Sequence, residues 1–406
     1  MMHRGLEDWR RLARRRLPRI IFDYVDGGAG TDRAIVRNRA AFDRLLFSPR
    51  PLVDVSSRSL DVSLFGRHYS LPVAIAPTGL NGAIRPGGDL MLARAASRAG
   101  IPFVLSTAST DSIEEVARNV DGDIWFQLYV LNRSIAELLV ARALGAGYHT
   151  LVLTVDVPVS GRRLRELRNG FCLPFRLTTR NAVDAVRHPA WIFRQLVHGL
   201  PQLANISAGD KSTAAVQAAM LGRHMDASFS WDDVRRLRDR WPHRLLIKGI
   251  IRAEDAARCR DIGADGVIVS NHGGRQLEDV AAPLTALPKV IAHGPKVTLL
   301  DGGVRDGADV VKAVAAGAQM VLIGRAMLYG LAGGGESGVS RVIESIKQDI
   351  DMTLALIGCA AIADVNSGYL EPLDCRDGHN DRTVHTHTKR LWHGEEKMRS
   401  EHERNA

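Results

Sequence analysis

Short runs of apolar residues recur along the middle of the chain, and their pattern predicts the fold. Most of the runs are separated by stretches with the mixed apolar and charged composition of surface helices. Each run is continuously apolar, which is typical of a parallel strand that is buried on both faces. Eight such runs lie between residues 70 and 330: Val73–Pro77, Phe103–Ser109, Ile124–Val130, Thr150–Val157, Leu245–Ile250, Gly266–His272, Lys296–Gly303 and Met320–Ala326.

The repeated unit predicts an α/β protein built on a (β/α)8 TIM barrel. The pattern does not change along the chain, which favours a closed barrel over the alternative, an open doubly wound sheet. Residues 1–69 begin with a basic helical stretch and are expected to form an N-terminal cap. The segment 172–230, which follows the fourth strand, is too long for an ordinary connection and predicts an insertion.

The two ends of the chain and its composition limit the remaining choices. We expect one domain over residues 1–370 and a flexible polar tail over 371–406, in which His385 and His387 are solvated. The formal net charge of +9 is compatible with nucleic acid, acidic lipid or acidic substrate, or only with a solvated basic surface. The four cysteines lack metal-ligand spacing, and no apolar stretch reaches the ~18 residues of a membrane span. We therefore predict a reducing compartment, no metal site and no membrane-spanning segment.

The carboxyl ends of the predicted strands are unusually polar, and barrel enzymes build their active sites at these ends. The last two ends, "LDGGVR" and "IGRA", combine glycine with arginine. Glycines let backbone N–H groups approach an anion closely, and barrels commonly bind phosphate after strands seven and eight. The pattern therefore predicts a phosphate site formed by Gly302, Gly303, Arg305, Gly324 and Arg325.

The sixth strand end, "SNHGGRQ", presents His272 and Arg275 together. Histidine suits proton abstraction near neutral pH, and Asp156 at the fourth end is a candidate carboxylate to stabilise the imidazolium. Arg163 adds a second guanidinium on the same rim, and two arginines suit a carboxylate. A buried structural histidine is the alternative. The residues alone thus predict a phosphate-containing cofactor, a base and an anionic substrate.

Taken together and in order, "APTG", "WFQLYV", "LTVDVPVSGRR", "SNHGGRQL" and "DGGVR" resemble the FMN-dependent 2-hydroxy acid dehydrogenase and oxidase family over about residues 7–370. The segments 77–83, 225–242 and 329–339 are most similar to its membrane-associated mandelate dehydrogenases. The resemblance implies FMN as cofactor and oxidation of an L-2-hydroxy acid, (S)-mandelate or another aromatic acid, to the 2-oxo acid. An L-lactate dehydrogenase, or an oxidase that uses O2, is the alternative within the family.

The resemblance also implies a role for each matched position. The implied catalytic residues are His272 as base, Asp156 as its orienting partner, Tyr129 and Arg275. The implied substrate ligands are Tyr24, Tyr129, Arg163 and Arg275. The implied cofactor ligands are Pro77, Thr78, Gly79, Ser106, Gln127, Thr154, Lys248, Ser270, Asp301, Gly303, Arg305, Gly324 and Arg325. Three positions depart from the family pattern: Glu278 replaces an Asp, Asp306 replaces a frequent second Arg, and Gly79 stands where oxidases tend to carry Ala.

The insertion contains an amphipathic stretch from Pro189 to Pro201. Its apolar stripe consists of Ile192, Phe193, Leu196, Val197 and Leu200, and Trp191, Arg176, Arg180 and Arg187 suit a lipid interface. The family's membrane-bound members carry their anchor in this segment, so we expect residues 177–210 to bind a membrane surface. The alternative is a helix that packs its stripe on the barrel.

The remaining expectations concern partners and competing functions. The resemblance implies a cytoplasmic protein on the inner face of the cell membrane, a quinone acceptor, a homotetramer and no nucleic acid partner. A non-enzymatic basic binding protein would not need His272, Arg163 and Arg275 together. A sugar-phosphate barrel enzyme would not need Lys248 and Gln127 around a flavin, and it would purify colourless.

Overall fold

The computed structural model describes residues 5–171, 178–199, 201–206 and 225–373. The first part of the chain precedes the barrel and forms the predicted N-terminal cap. Its elements are α1 (Leu6–Arg16), α2 (Arg19–Asp26), α3 (Arg33–Asp43), β1 (Leu45–Phe47) and the antiparallel hairpin of β2 (Val62–Leu64) and β3 (Arg67–Tyr69). The hairpin packs Leu64 and Tyr69 into the apolar cluster that fills the barrel.

Eight parallel strands then close into a barrel in the order β10, β11, β4, β5, β6, β7, β8, β9. Their bounds are β4 (Val73–Ile75), β5 (Phe103–Ser106), β6 (Ile124–Leu128), β7 (Thr150–Thr154), β8 (Arg244–Ile250), β9 (Gly266–Val269), β10 (Val297–Asp301) and β11 (Met320–Ile323). The prediction of a closed barrel of eight parallel strands is confirmed. Most strands end before their predicted ends, β4 at Ile75 rather than Pro77, and the residues that follow β4 line the cavity.

Helices surround the barrel and connect its strands. Before β8 they are α4 (Asn81–Ile84), α5 (Gly88–Arg98), α6 (Ile113–Asn119), α7 (Arg133–Gly145), α8 (Leu164–Arg168), α9 (Thr179–Val186), α10 (Pro189–His198) and α11 (Trp231–Arg240). After β8 they are α12 (Ala253–Asp261), α13 (Pro283–His293), α14 (Gly307–Ala315), α15 (Arg325–Gly334) and α16 (Glu336–Ile357). Short 3-10 turns cover His272–Gly274, Ile362–Asp364 and Ser367–Tyr369.

The predicted insertion contributes α9 and α10, and α10 turns its apolar residues outward. Phe193, Leu196 and Val197 are 69%, 78% and 61% exposed. On its other side, Trp191 Nε1 donates to Ala83 O at 2.8 Å, and Gln195 Nε2 donates to Gly82 O at 2.9 Å. The alternative in which the stripe packs on the barrel is therefore wrong for Phe193, Leu196 and Val197, whereas Ile192 is half-buried. The expectation that Trp191 faces a lipid interface is also wrong, because Trp191 lies on the barrel side of the helix and bonds to Ala83.

Parts of the sequence predictions fall outside the described residues. These parts include Arg176, Leu200, His385, His387 and most of the predicted tail, and the side chain of Arg180 is likewise not described. The described residues up to Glu371 form one compact unit, and the strand β12 (Leu370–Pro372) at its end pairs with β1. Cys259 and Cys359 are buried free thiols, whereas Cys172 and Cys375 are not described. Among the described residues, no helix combines the length and apolar character needed to cross a membrane.

Candidate active site

A cavity opens at the carboxyl ends of the barrel strands, and all eight ends contribute to its wall. The N-terminal cap adds Tyr24 and Val25, and the insertion adds Leu203 and Met225. Three predicted site residues lie just behind the wall and contact residues in it: Asp156, Gln127 and Ser270. The other predicted site residues line the cavity: Tyr24, Pro77, Thr78, Gly79, Ser106, Tyr129, Thr154, Arg163, Lys248, His272, Arg275, Asp301, Gly303, Arg305, Gly324 and Arg325.

His272 lies between a carboxylate and a phenol. Its Nδ1 is 2.9 Å from Asp156 Oδ1, and its Nε2 is 3.1 Å from the hydroxyl of Tyr129. The backbone is left-handed at His272 and at the two glycines that follow, with φ of 59°, 63° and 76°. Glycine tolerates this conformation and a bulkier residue strains it, which explains the "HGG" sequence. Gly249 makes room for the carboxylate, since a Cβ there would lie 2.7 Å from Asp156 Cβ.

The charges around His272 favour a neutral imidazole next to an ionised carboxylate. Burial lowers the pKa of His272, and Lys248 and Arg163 act in the same direction against the opposing effect of Asp156. Burial works to raise the pKa of Asp156, but His272 and Lys248 outweigh it and the net shift is downward. A neutral histidine that is held by an anionic carboxylate is the state that a general base requires.

Lys248 supplies a buried cation in the cavity wall. Its Nζ is 2.7 Å from Asp301 Oδ2 and donates to Ser270 Oγ at 2.8 Å. Burial tends to lower the pKa of Lys248, but Asp301 and Asp156 raise it above its usual value. Ser270 Oγ in turn donates to Asp301 Oδ2 at 2.7 Å and accepts from His272 N at 3.0 Å. This network joins Lys248 to the loop that follows β9 and carries His272, called the histidine loop below.

The ends of β10 and β11 bring glycines and two buried arginines together. Gly302 and Gly303 have φ of 106° and 92°, where a side chain would be strained. Burial lowers the pKa of Arg305, and burial together with the neighbouring Arg275 and Arg305 lowers the pKa of Arg325 to about 9. Buried guanidinium groups whose pKa is lowered by burial and by neighbouring cations mark a site that favours an anion.

Two further arginines line the cavity and share one buried carboxylate. Glu166 Oε1 accepts from Arg163 Nη1 at 3.2 Å and from Arg275 Nη2 at 3.3 Å. Arg163 also donates to the backbone oxygen of Arg275 and to Gln276 Oε1. The side chains of Arg163 and Glu166 are 6% and 8% exposed, so this ion pair is well shielded from water.

The carboxyl end of α2 closes one side of the cavity. Arg275 Nη1 donates to the backbone oxygens of Tyr24 and Gly27, and Arg325 donates to those of Val25, Gly27 and Gly273. A helix leaves its last carbonyl groups without partners within the helix, and the helix dipole stabilises cations at that end. The Tyr24 ring stacks on Phe171 with centroids 4.8 Å apart, and its hydroxyl donates to Gly79 O at 3.1 Å.

Comparisons with known proteins agree with this arrangement. The sequence profile of the FMN-dependent dehydrogenase family matches residues 13–372. This chain belongs to that family. It is 52% identical to (S)-mandelate dehydrogenase from Pseudomonas putida over 90% of this chain and 93% of the relative. It is 44% identical to L-lactate dehydrogenase from Caulobacter vibrioides over 89% of this chain and 96% of the relative.

Solved structures of a mandelate dehydrogenase and of a mandelate oxidase share the fold. The monotopic membrane protein (S)-mandelate dehydrogenase aligns with a TM-score of 0.88 and 52% identity, over 91% of this chain and 99% of that one. A mandelate oxidase aligns with a TM-score of 0.75 and 36% identity, over 90% of this chain and 98% of that one. The relatives therefore include both dehydrogenases and an oxidase.

The residues present fit FMN, the cofactor of the family. Gln127 Nε2 and Thr154 Oγ1 are buried without a hydrogen-bond partner among the described residues, as expected of groups that face a polar ring. Arg305 is buried beside the glycine turn of β10, where a phosphate would compensate its charge. Lys248, on β8, comes between these two regions in the strand order of the barrel. The donor set thus suits a flavin ring at one end and a phosphate at the other.

The three departures from the family pattern have structural explanations. Glu278 Oε1 accepts from Thr31 N and Oγ1, both at 2.6 Å, so the residue ties the histidine loop to the N-terminal cap. Asp306 is the N-cap of α14, where its side chain accepts from Asp309 N. At Gly79 an added Cβ would lie 2.8 Å from Ala108 Cβ, so an alanine at this position would press on Ala108.

Sequence reasoning missed Glu166 and the apolar residues that the insertion supplies. Glu166 follows Arg163 by three residues, a spacing that places both side chains on one face of a helix and could have indicated the pair. Leu203 reaches the cavity because Asn205 holds its turn against the barrel: Nδ2 donates to Ser109 Oγ at 2.8 Å. No sequence pattern indicates that contact.

Proposed function

We propose that this protein oxidises an L-2-hydroxy acid with an aromatic side chain, of which (S)-mandelate is the first candidate, to the 2-oxo acid. The observation that carries the proposal is the hydrogen-bonded pair of His272 and Asp156 in a cavity that also holds Lys248, Arg163 and Arg275. Membership in the FMN-dependent dehydrogenase family supports the reaction type.

His272 would take the proton that the substrate releases. Its Nδ1 is engaged by Asp156, so Nε2, which points to Tyr129, is the nitrogen that can accept a proton. Asp156 would then stabilise the imidazolium. Bound FMN supplies the acceptor for the two electrons that leave the substrate. Both possible routes for the α-hydrogen, as proton or as hydride, need a base at this position.

The other wall residues would bind and orient. Arg163 and Arg275 would hold the substrate carboxylate, and Tyr129 would hydrogen-bond its hydroxyl or the nascent keto oxygen. Gln127, Thr154, Ser106 and the 77–79 turn would hold the flavin ring, Lys248 its electron-rich end, and Arg305 with Gly303 and Gly324 its phosphate. Apolar side chains from several elements leave room for an aromatic group: Leu80, Ala108, Val157, Phe171, Leu203 and Met225.

An anaerobic absorbance titration tests the proposal. The purified protein should be yellow, and (S)-mandelate should bleach it faster than L-lactate does. Faster bleaching by lactate would instead assign the chain to the lactate dehydrogenases, to which it is 44% identical. Rapid recolouring on admission of air would favour an oxidase. A protein that neither contains nor binds FMN would refute the proposal.

We also propose that α9 and α10 attach the protein to a membrane surface. Val183, Val186, Phe193, Leu196 and Val197 are all exposed on these two helices. An exposed apolar face next to basic residues is typical of helices that lie in a lipid interface. The relative described as a monotopic membrane protein supports the same interpretation.

Vesicle sedimentation tests the attachment. The triple variant Phe193→Ser/Leu196→Ser/Val197→Ser should remain in the supernatant when the unmodified protein sediments with phospholipid vesicles. A matched control changes two exposed apolar residues on outer barrel helices, Leu138→Ser and Leu356→Ser, and should sediment normally. Equal sedimentation of both variants, with flavin absorbance intact, would reject the role of α10.

Three finer proposals follow from membrane attachment and from the family resemblance. We propose a membrane quinone as electron acceptor, the cytoplasmic face of the membrane as location, and a homotetramer as the assembly. Reduction of a soluble quinone analogue faster than of O2 would support the first. Protease protection in oriented membrane vesicles tests the second, and analytical ultracentrifugation in detergent tests the third.

A further inference from the structure

The buried cluster of Arg163, Glu166 and Arg275 has a charge that bears on substrate choice. Counted by themselves, the two guanidinium groups and one carboxylate carry a formal charge of +1, and both guanidinium groups lie in the cavity wall. The carboxylate is shared, because Glu166 Oε1 accepts from both arginines. Arg163 further donates to the backbone oxygen of Arg275 at 3.1 Å, so the three residues form one connected unit.

Burial makes this balance consequential. Charges shielded from water interact much more strongly than charges at an exposed surface, and an unpaired buried charge is costly. With both arginines unopposed, the cluster would present two positive charges and would attract a dianion more than a monoanion. With one carboxylate built in, the surplus of one charge is complementary to a single carboxylate group.

We propose that Glu166 is a positioning and charge-setting residue that makes the carboxylate subsite selective for monoanions. The inference rests on the proposed function, in which Arg163 and Arg275 bind the substrate carboxylate. Glu166 holds the two guanidinium groups side by side and cancels one of their charges. The subsite therefore accepts a 2-hydroxy monocarboxylate and discriminates against a second negative charge near the first.

Oxalate and oxamate provide a matched pair of probes, since they have nearly the same size and differ by one charge at neutral pH. Dissociation constants are measured by titrating the flavin absorbance of the oxidised holoprotein, which needs no turnover. Glu166→Gln keeps the hydrogen-bonding oxygen and removes the charge. It should shift the oxamate-to-oxalate preference about tenfold toward oxalate.

A second variant tests the charge independently of whether Glu166→Gln folds. Gln276 Oε1 accepts from Arg163 Nη2 at 3.2 Å, so Gln276→Glu adds a carboxylate to the same cluster from a partly exposed position. It should shift the preference about tenfold toward oxamate. The double variant Glu166→Gln/Gln276→Glu restores one negative charge and should return the preference to that of the unmodified protein.

Positioning is separated from charge by Glu166→Asp. This change keeps the charge but shortens the side chain, so the anion preference should stay within twofold while the KM for the hydroxy acid rises more than kcat falls. The control Glu278→Gln removes a carboxylate that pairs with Arg33 outside the cavity and should leave the preference unchanged.

The outcomes distinguish this inference from the proposed function. If hydroxy acids bleach the unmodified protein but Glu166→Gln and Gln276→Glu leave the anion preference within twofold, the charge-setting role is wrong and the function stands. If no hydroxy acid bleaches the protein yet both variants shift the preference as expected, the cluster is an anion subsite and the proposed reaction is wrong. If Glu166→Gln loses its flavin, Gln276→Glu decides the question alone.

Discussion

Replacement of Asp156 by Asn should slow substrate oxidation by about three orders of magnitude. The carboxylate bonds to His272 Nδ1 at 2.9 Å, and the imidazolium that forms during the reaction would lie against it. Unit charges about 4 Å apart at an effective dielectric constant of about 20 interact by about 4 kcal/mol. Loss of that stabilisation in the transition state corresponds to a rate factor of about 10³.

The same substitution should change the pH dependence of the reaction in a defined direction. Asp156 raises the pKa of His272 against the stronger effect of burial, so its removal lowers that pKa further. The acid limb of kcat/KM, where the base becomes protonated, should therefore move to lower pH. A variant that is merely misfolded would not shift this limb while retaining its flavin.

Anaerobic stopped-flow measurement of flavin bleaching provides the rate, and the absorbance spectrum reports flavin occupancy. A matched control is Asp123→Asn. It removes a carboxylate that does not line the cavity and that accepts a hydrogen bond of 2.8 Å from Trp125 Nε1. The control should bleach at the rate of the unmodified protein. A rate within threefold of normal for Asp156→Asn, or an unmoved acid limb, would show that Asp156 does not act through His272.

Three other changes have expected outcomes that follow from single contacts. Gly249→Ala should lower kcat at least tenfold, because its Cβ would press on Asp156. The control Gly263→Ala also has a positive φ but open space around its Cβ, so it should affect only stability. Steady-state kinetics and thermal unfolding separate the two effects. Arg305→Met should weaken FMN binding about 100-fold, as measured by fluorescence titration of the apoprotein, because the charged group nearest the predicted phosphate is lost. Burial, and to a lesser extent a neighbouring carboxylate, raises the pKa of Asp89 from 3.8 to about 7. The folded protein therefore retains a proton that the unfolded chain releases between these two pH values. The free energy of unfolding should fall as pH rises from 3.8 to about 7. Asp89→Asn should remove this part of the pH dependence in denaturant unfolding curves; an unchanged slope would contradict it.

The chemistry of the candidate site could be predicted to a large extent because barrel closure is a general rule. Once eight apolar runs are recognised as parallel strands, their carboxyl ends must meet at one rim. Residues as distant in sequence as Thr78, Lys248 and Arg325 could therefore be assigned to one cavity before any contact was known. The predicted ends of the strands were less accurate, because the apolar runs continue past the last paired residue into the segments that line the cavity.

Other features depended on contacts between segments that no periodicity relates. The carboxyl end of α2 accepts hydrogen bonds from Arg275 and Arg325, so these arginines hold the N-terminal cap as well as line the cavity. The acceptors of these arginines could not be assigned from sequence, because an arginine near a predicted anion site has the same sequence pattern whichever acceptor it binds.

The sequence by itself determined the class of fold, the rim that carries the polar residues, and the amphipathic character of α10. Tertiary structure alone decided which way that helix faces and which carboxylate lies between Arg163 and Arg275. The physical reason is the same for both. A pattern of 3.6 residues defines a helix face, and a charge defines a need for a partner, but only chain closure determines the surface or the atom that meets them.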